Sequence, residues 1–160
     1  MLDRRGGSGP DTAHVLAPPP LIFLGALLLG MALQAEWPIR LPIRPWSRIV
    51  GGCLIAGGLA LSATVMHHFR RAGTPVTPWS ETRRLVVTGP YRLSRNPDYL
   101  GQAMLTAGLG LVLAAPWVIP ALVPALLVVR YGVIAREERY LERRFGEEYA
   151  RYRGRVRRWL

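Results

Sequence analysis

The chain has 160 residues, half of them apolar, and a formal net charge of +11. That length has room for one domain. Uncharged runs alternate with arginine-rich stretches instead of interleaving with them, which excludes an ordinary soluble basic domain and points to an integral membrane protein. All 21 basic residues are Arg, a bias that GC-rich codons explain more simply than chemistry does. The single cysteine, Cys53, lies inside an apolar run, so no disulfide framework is expected.

Residues 1–20, rich in Gly, Pro, Asp and Arg, have no apolar period and read as a mobile tail. Residues 21–160 then form one domain. Leu21–Ala35 is just long enough to span a bilayer with interfacial help from Trp37, and no small-residue cleavage site precedes Glu36, so it reads as a retained span. Ile49–Met66 is a second uncharged run, with Trp46 and Arg48 at its edge. The third region, Tyr99–Val129, is uncharged for 31 residues. At about 1.5 Å per residue it exceeds one hydrocarbon core of about 30 Å. A break at Ala114-Ala115-Pro116-Trp117 divides it into two arms of a helical hairpin, the second running to Ala135. The expectation is therefore an all-α integral membrane protein of four spans.

Six arginines lie between His67 and Asp98 and ten follow Val129. Both segments should face the cytosol, which places the C-terminal part inside a cell (inner) membrane. The three arginines of Glu36–Arg48 pull the other way, against larger loops. Beyond the spans, Leu141, Phe145, Tyr149, Tyr152, Val156 and Trp159 recur at steps of three and four. They predict amphipathic helices divided at Gly146, which either cover a cytosolic site or lie on anionic lipid.

Two clusters carry chemistry. In Gly89-Pro90-Tyr91-Arg92-Leu93-Ser94-Arg95-Asn96-Pro97-Asp98-Tyr99, Asn96 is a good N-cap, Pro97 suits the first helical turn and Asp98 the positive helix end. A plain helix start explains those three residues but not the crowding of Tyr91, Arg92, Arg95 and Tyr99. In Arg136-Glu137-Glu138, carboxylates at the membrane exit are costly unless paired or used. A solvated exit paired with Arg136 or Arg139 is the plain reading. Together the clusters bring arginine, aromatic rings and acid to one face, groups that suit a zwitterionic, adenine-bearing cation. Gly108-x-Gly110 follows no strand and reads as close helix packing. His67 and His68 read as interfacial, with proton chemistry a weaker option. Without a Cys or His cluster, no metal is expected, and no nucleic-acid partner either.

Gly89-Pro90-Tyr91-Arg92, Arg95-Asn96-Pro97-x-Tyr99-Leu100-Gly101 and the downstream Glu137-Glu138-x-x-Leu141-x-x-x-Phe145-Gly146-x-x-Tyr149-x-x-Tyr152-x-x-x-Val156-x-Arg158-Trp159 resemble the isoprenylcysteine carboxyl methyltransferase and phospholipid methyltransferase group. The resemblance runs over about residues 73–160. It implies S-adenosylmethionine as cofactor, in a pocket closed by the cytosolic loop and C-terminal helices. It further implies cofactor roles for Arg83, Arg84, Leu85, Val86, Tyr91, Asn96, Pro97, Asp98, Tyr99, Glu137 and Glu138. Many relatives have His where this chain has Asn96, though Asn is also a familiar bacterial variant. The eukaryotic members place a substrate-binding arginine where this chain has Val133, so an acceptor with a free carboxylate is expected to be poor. Arg95, Arg130 and Arg136 are the candidates for orienting an acceptor.

The expected function is methyl transfer from S-adenosylmethionine to a lipophilic acceptor at the membrane, by in-line displacement at the sulfonium methyl. Lipid N-methylation and small-thiol S-methylation are alternatives within the same family. From another class, a non-catalytic four-span scaffold or transporter subunit would tolerate changes at Glu137 and Tyr91.

Overall fold

A computed structural model describes residues 18–39, 45–73 and 85–160, and among these every regular element is helical. The helices are α1 (Pro19–Glu36), α2 (Pro45–Ala72), α3 (Pro97–Val112), α4 (Val118–Val128), α5 (Ala135–Phe145) and α6 (Glu147–Arg155). A 3-10 turn spans Gly89–Arg92, and a π-helical turn, Val129–Ile134, joins α4 to α5.

Three helical stretches are long and apolar enough to cross a membrane: Pro19–Glu36, Trp46–Ala72 and the continuous Val118–Phe145. The α3 helix has 16 residues, about 24 Å of rise, and falls short of that length. The expected four spans are thus three by length. The helix break expected at Ala114–Trp117 is present between α3 and α4. The first two spans exceed their sequence limits at both ends. Proline in the first turn, which lacks only an N–H that would go unbonded anyway, starts both α1 and α2. Arg70 and Arg71 complement the negative end of α2, and Gly73 at φ 63° stops it. The expected tail at 1–20 overlaps α1 at Pro19 and Pro20; residues 1–17 lie outside the described ones.

Helices α2 and α3 run antiparallel and touch backbone to backbone at two glycine pairs. A Cβ on Gly108 would lie 2.6 Å from the Gly51 carbonyl oxygen, and one on Gly58 would lie 2.6 Å from that of Gly101. Any side chain there would separate the helices, so Gly108 is a packing residue, as its apolar context predicts. Phe23 and Ala26 of α1, Tyr99 of α3, Ala121, Leu122 and Ala125 of α4, and Val129, Val133 and Ile134 of the π turn form one core. Leu24, Leu28, Ile49, Leu59, Val123 and Leu127 face outward and are exposed, as side chains in lipid contact should be. At one end the Trp117 indole Nε1 donates to the Trp37 carbonyl at 2.8 Å, an interfacial aromatic pair. The arginine-rich α5 and α6 continue from the other end of α4.

The π turn matters for the site. It inserts the equivalent of one residue into the helix, rotating α5 by about 100° relative to an uninterrupted α-helix. As predicted, the amphipathic stretch divides at Gly146, whose φ of 47° and ψ of −120° turn the chain between α5 and α6.

Candidate functional site

The start of α3, the first turns of α5 and the segment following α6 meet in one polar junction. Asn96 occupies the N-cap position but does not cap α3 with its side chain. Its Nδ2 instead donates to the Arg158 carbonyl at 2.9 Å. Buried Ser94 donates from Oγ to the same carbonyl at 3.3 Å and accepts the Asn96 N–H at 3.1 Å. The Arg95 N–H donates to the Arg157 carbonyl at 3.0 Å. The capping expectation is corrected here: the Asn96 side chain makes no bond to the helix N–H groups, and its amide instead satisfies a distant buried carbonyl.

Beneath these bonds lies an ionic lock. Arg158 grips Glu138 with both arms of its fork, Nε to Oε1 at 3.0 Å and Nη2 to Oε2 at 2.6 Å. Arg95 Nη1 stands 3.0 Å from Glu138 Oε1 and 3.3 Å from the Tyr149 hydroxyl. The Arg95 and Glu138 side chains are only 11% and 13% exposed. Hydrogen bonding to Glu138 raises the Arg158 pKa further. Glu138, expected at the cofactor, and Arg95, expected to orient an acceptor, therefore spend their charge on each other and on the C-terminal segment.

On the other side of the junction the Tyr99 hydroxyl donates to Glu137 Oε1 at 2.6 Å, joining α3 to α5. Asp98 accepts from Gln102 Nε2 at 2.8 Å, while Gln102 Oε1 is buried without a donor. Tyr91 packs its ring 5.7 Å from Phe69, and its carbonyl accepts the Tyr152 hydroxyl at 2.8 Å. Burial first, then the nearby charges of Asp98 and Glu137, raise the Tyr91 pKa, so its hydroxyl stays a donor at neutral pH. Burial, and then the neighbouring Tyr149, do the same to Tyr152. Leu85 and Val86 are half-buried, Pro97 is buried, and Arg83 and Arg84 lie outside the described residues. This side is an aromatic cradle with a surplus of acceptor oxygens.

Arg136 is half-buried and not free. Val133 is fully buried in the core, so the missing cation at that position faces no cavity. Arg130 does face one, a groove of about 350 Å³ lined by Leu100, Ala103, Leu126, Leu127, Arg130 and Trp159. Four contributors escaped the site reading of the sequence: Ser94, Gln102, Arg158 and the π turn. Tyr149, Tyr152 and Trp159 were visible as an apolar stripe and as members of the downstream motif, without a role of their own. Among the described residues, no group of three His, Cys, Asp or Glu could hold a metal ion.

The phospholipid methyltransferase family model matches residues 46–148. The chain belongs to that family. The match begins at α2, earlier than the motifs alone indicate. Over 78 residues the chain is 36% identical to protein-S-isoprenylcysteine O-methyltransferase B of Arabidopsis thaliana, a stretch covering 48% of this chain and 39% of that protein. Over 35 residues it is 60% identical to an uncharacterized protein of Haemophilus influenzae, covering 22% of this chain and 56% of the relative. The chain thus spans about half or less of these relatives' lengths. No solved structure matches. Family and span-length helices together make this a multi-pass membrane protein of a methyltransferase family.

Proposed function

We propose that the chain transfers a methyl group from S-adenosylmethionine to a lipophilic acceptor at the membrane. The observation that carries the reading is the Tyr99–Glu137 hydrogen bond of 2.6 Å, which fixes an acidic, aromatic cradle beside an apolar groove. A ligand with an ammonium, a sulfonium and an adenine ring fits this donor set. Glu137, Asp98 and the orphaned Gln102 Oε1 offer acceptors for its cationic and ribose groups, and Tyr91 and Tyr99 offer rings. Leu85, Val86, Asn96 and Pro97 border the same cradle, and Arg83 and Arg84 would extend it.

When bound, S-adenosylmethionine supplies an electrophilic methyl on a positive sulfur. The protein's part is positioning. Tyr99 holds Glu137 in place, the Glu138 lock holds the segment after α6 over the junction, and the apolar wall excludes water. Excluding water favours attack by an anionic nucleophile, because charge disappears along that reaction. Alignment of the reacting atoms supplies much of the remaining rate.

In this reading α3 is a short fourth span, residues 21–160 act as one domain, and the junction faces the cytosol of the cell membrane. Alkaline carbonate should leave the protein in membranes, and a C-terminal reporter should be active only inside the cell. The decisive experiment incubates purified protein with methyl-labelled S-adenosylmethionine and lipid extracts, then identifies the labelled fraction. Transfer to a lipid supports the reading. An absence of both cofactor binding and transfer returns the chain to a non-catalytic role.

A further inference from the structure

Helix α1 lies outside the stretch that the family model matches, ending at Glu36 where the match begins at residue 46. It nevertheless reaches the junction from behind. The Trp117 indole bonds to the Trp37 carbonyl, so the end of α1 lies at the start of α4 and the two helices run antiparallel. A Cβ on Gly30 would lie 2.5 Å from the Val118 Cα, so the two backbones touch there. From that contact Pro19 is eleven residues along α1 and Val129 eleven along α4, each about 16 Å away. The first turns of α1 are therefore level with the π turn, and α1 packs on it directly. Buried Phe23 shares one cluster with Val129, Val133, Ile134 and Tyr99, and Ile22 packs against that cluster.

The π turn has a plain alternative. In an unbroken α-helix each residue past the turn would stand about 100° further round, on the bearing its successor now holds. Arg136 would then face the Tyr99 hydroxyl, and Glu137 would face Arg95 and Arg158 in place of Glu138. The lock would survive, because it needs only a carboxylate on that bearing. The cradle would not, because a guanidinium would replace the oxygen that accepts from Tyr99 and would repel a cationic ligand. The run Arg136-Glu137-Glu138 thus encodes an intact lock in both registers and an acidic cradle in only one. A helix left to its own hydrogen bonds takes the α register, so contacts from outside α4 and α5 have to hold the π one.

We propose that α1, through Phe23, holds the α4–α5 helix in the π register and so keeps Glu137, and not Arg136, opposite Tyr99. Phe23 is thus a positioning residue that acts through the turn. That the register governs cofactor binding rests on the function proposed above; the register and its brace do not.

The test reads the Tyr99 hydrogen bond in the full chain, free of cofactor, in phosphatidylcholine nanodiscs. Tyrosine carrying ¹³C at Cζ gives one resonance per ring, and Tyr99→Phe assigns the one that matters. Glu137→Ala marks its position without a carboxylate partner. Phe23→Ala should move the resonance most of the way to that mark, while Leu24→Ala, on the exposed side of α1, should leave it in place. Deleting Gly132 takes one residue out of the turn, so that a plain α-helix carries Glu137 on its present bearing. In that background Phe23→Ala should no longer move the resonance. If thermal unfolding shows that the deletion does not fold, Arg136→Glu decides, because it should restore the carboxylate-bonded position in the Phe23→Ala chain. Gly30→Ala, which pushes α1 off Val118, replaces Phe23→Ala if that variant does not fold. Failure of both to fold overturns the proposal, because α1 then holds the whole fold and not the register. An unmoved resonance in the folded variant overturns it, as does a moved one that the deletion, or Arg136→Glu in its stead, does not restore. Calorimetry with S-adenosylmethionine separates the two readings. Phe23→Ala should weaken binding roughly tenfold, and only while Gly132 is present. A wild type that binds none overturns the methyltransferase reading alone; binding beside an unmoved resonance overturns this inference alone.

Discussion

Glu137 and Glu138 are neighbours in sequence and opposites in surroundings. Glu138 faces two guanidinium groups and holds the C-terminal segment to the start of α3. Glu137 faces a tyrosine hydroxyl, on the side where Asp98 and Gln102 add further acceptor oxygens. One side of the junction is electrostatically closed on itself, and the other is suited to a cation from outside. Adjacent carboxylates on a helix point about 100° apart, so one peptide bond separates a structural lock from the cradle proposed to hold the cofactor.

Removing the lock should have the largest effect. Glu138→Ala leaves Arg95 and Arg158 without their shared partner at a half-buried site, and should cost about 3 kcal/mol of stability. A clearly lowered melting temperature in detergent is the expected result. A temperature equal to the wild type would mean that solvent screens the lock and that it holds nothing.

Removing the cradle's carboxylate should separate binding from folding. Glu137→Gln should keep the wild-type melting temperature but lose about 1.5–3 kcal/mol of S-adenosylmethionine affinity, roughly tenfold or more. Titration calorimetry measures it. An unchanged dissociation constant would make Glu137 a partner for Tyr99 and nothing else.

Tyr99→Phe tests whether the cradle depends on that partner. Freed of its hydrogen bond, Glu137 should lose its orientation and the donor that stabilises its carboxylate, weakening cofactor affinity by about 1 kcal/mol. In the double variant with Glu137→Gln the two losses should fall short of their sum, as coupled neighbours do. Strict additivity would mean that the two residues act independently.

The smallest effect is expected at Tyr152→Phe, which removes the hydrogen bond to the Tyr91 carbonyl. A loss of about 1 kcal/mol in stability with little change in cofactor affinity would class that contact with the lock. A larger fall in affinity than in stability would class it with the cradle.

The division between these regions was only partly legible in the sequence. Long uncharged runs are one-dimensional signals, so three of the four expected spans, the break at Ala114–Trp117 and the corner at Gly146 could be read. The two motifs also pointed to Tyr91, Tyr99 and Glu137. Which of two adjacent glutamates serves the lock could not be read, because it depends on the rotation of α5. That rotation is set by the π turn, and Val129–Ile134 contains no residue that announces one. Asn96 misled for a related reason. Its local context favours a cap, while its actual partner, the Arg158 carbonyl, lies more than sixty residues away. Arg130 and Trp159 likewise meet only in space.

The corner at Gly146 also acts as a lever. Its φ of 47° with ψ of −120° is the mirror image of extended backbone, a conformation that any Cβ disfavours. Nine residues of α6 swing from that pivot, an arm of about 13 Å. A residue that relaxed the pivot by only about 10° would move the far end of α6 roughly 2 Å, beyond the reach of a good hydrogen bond. A single hydrogen atom in place of a methyl group at position 146 thus determines whether Arg158 arrives at Glu138.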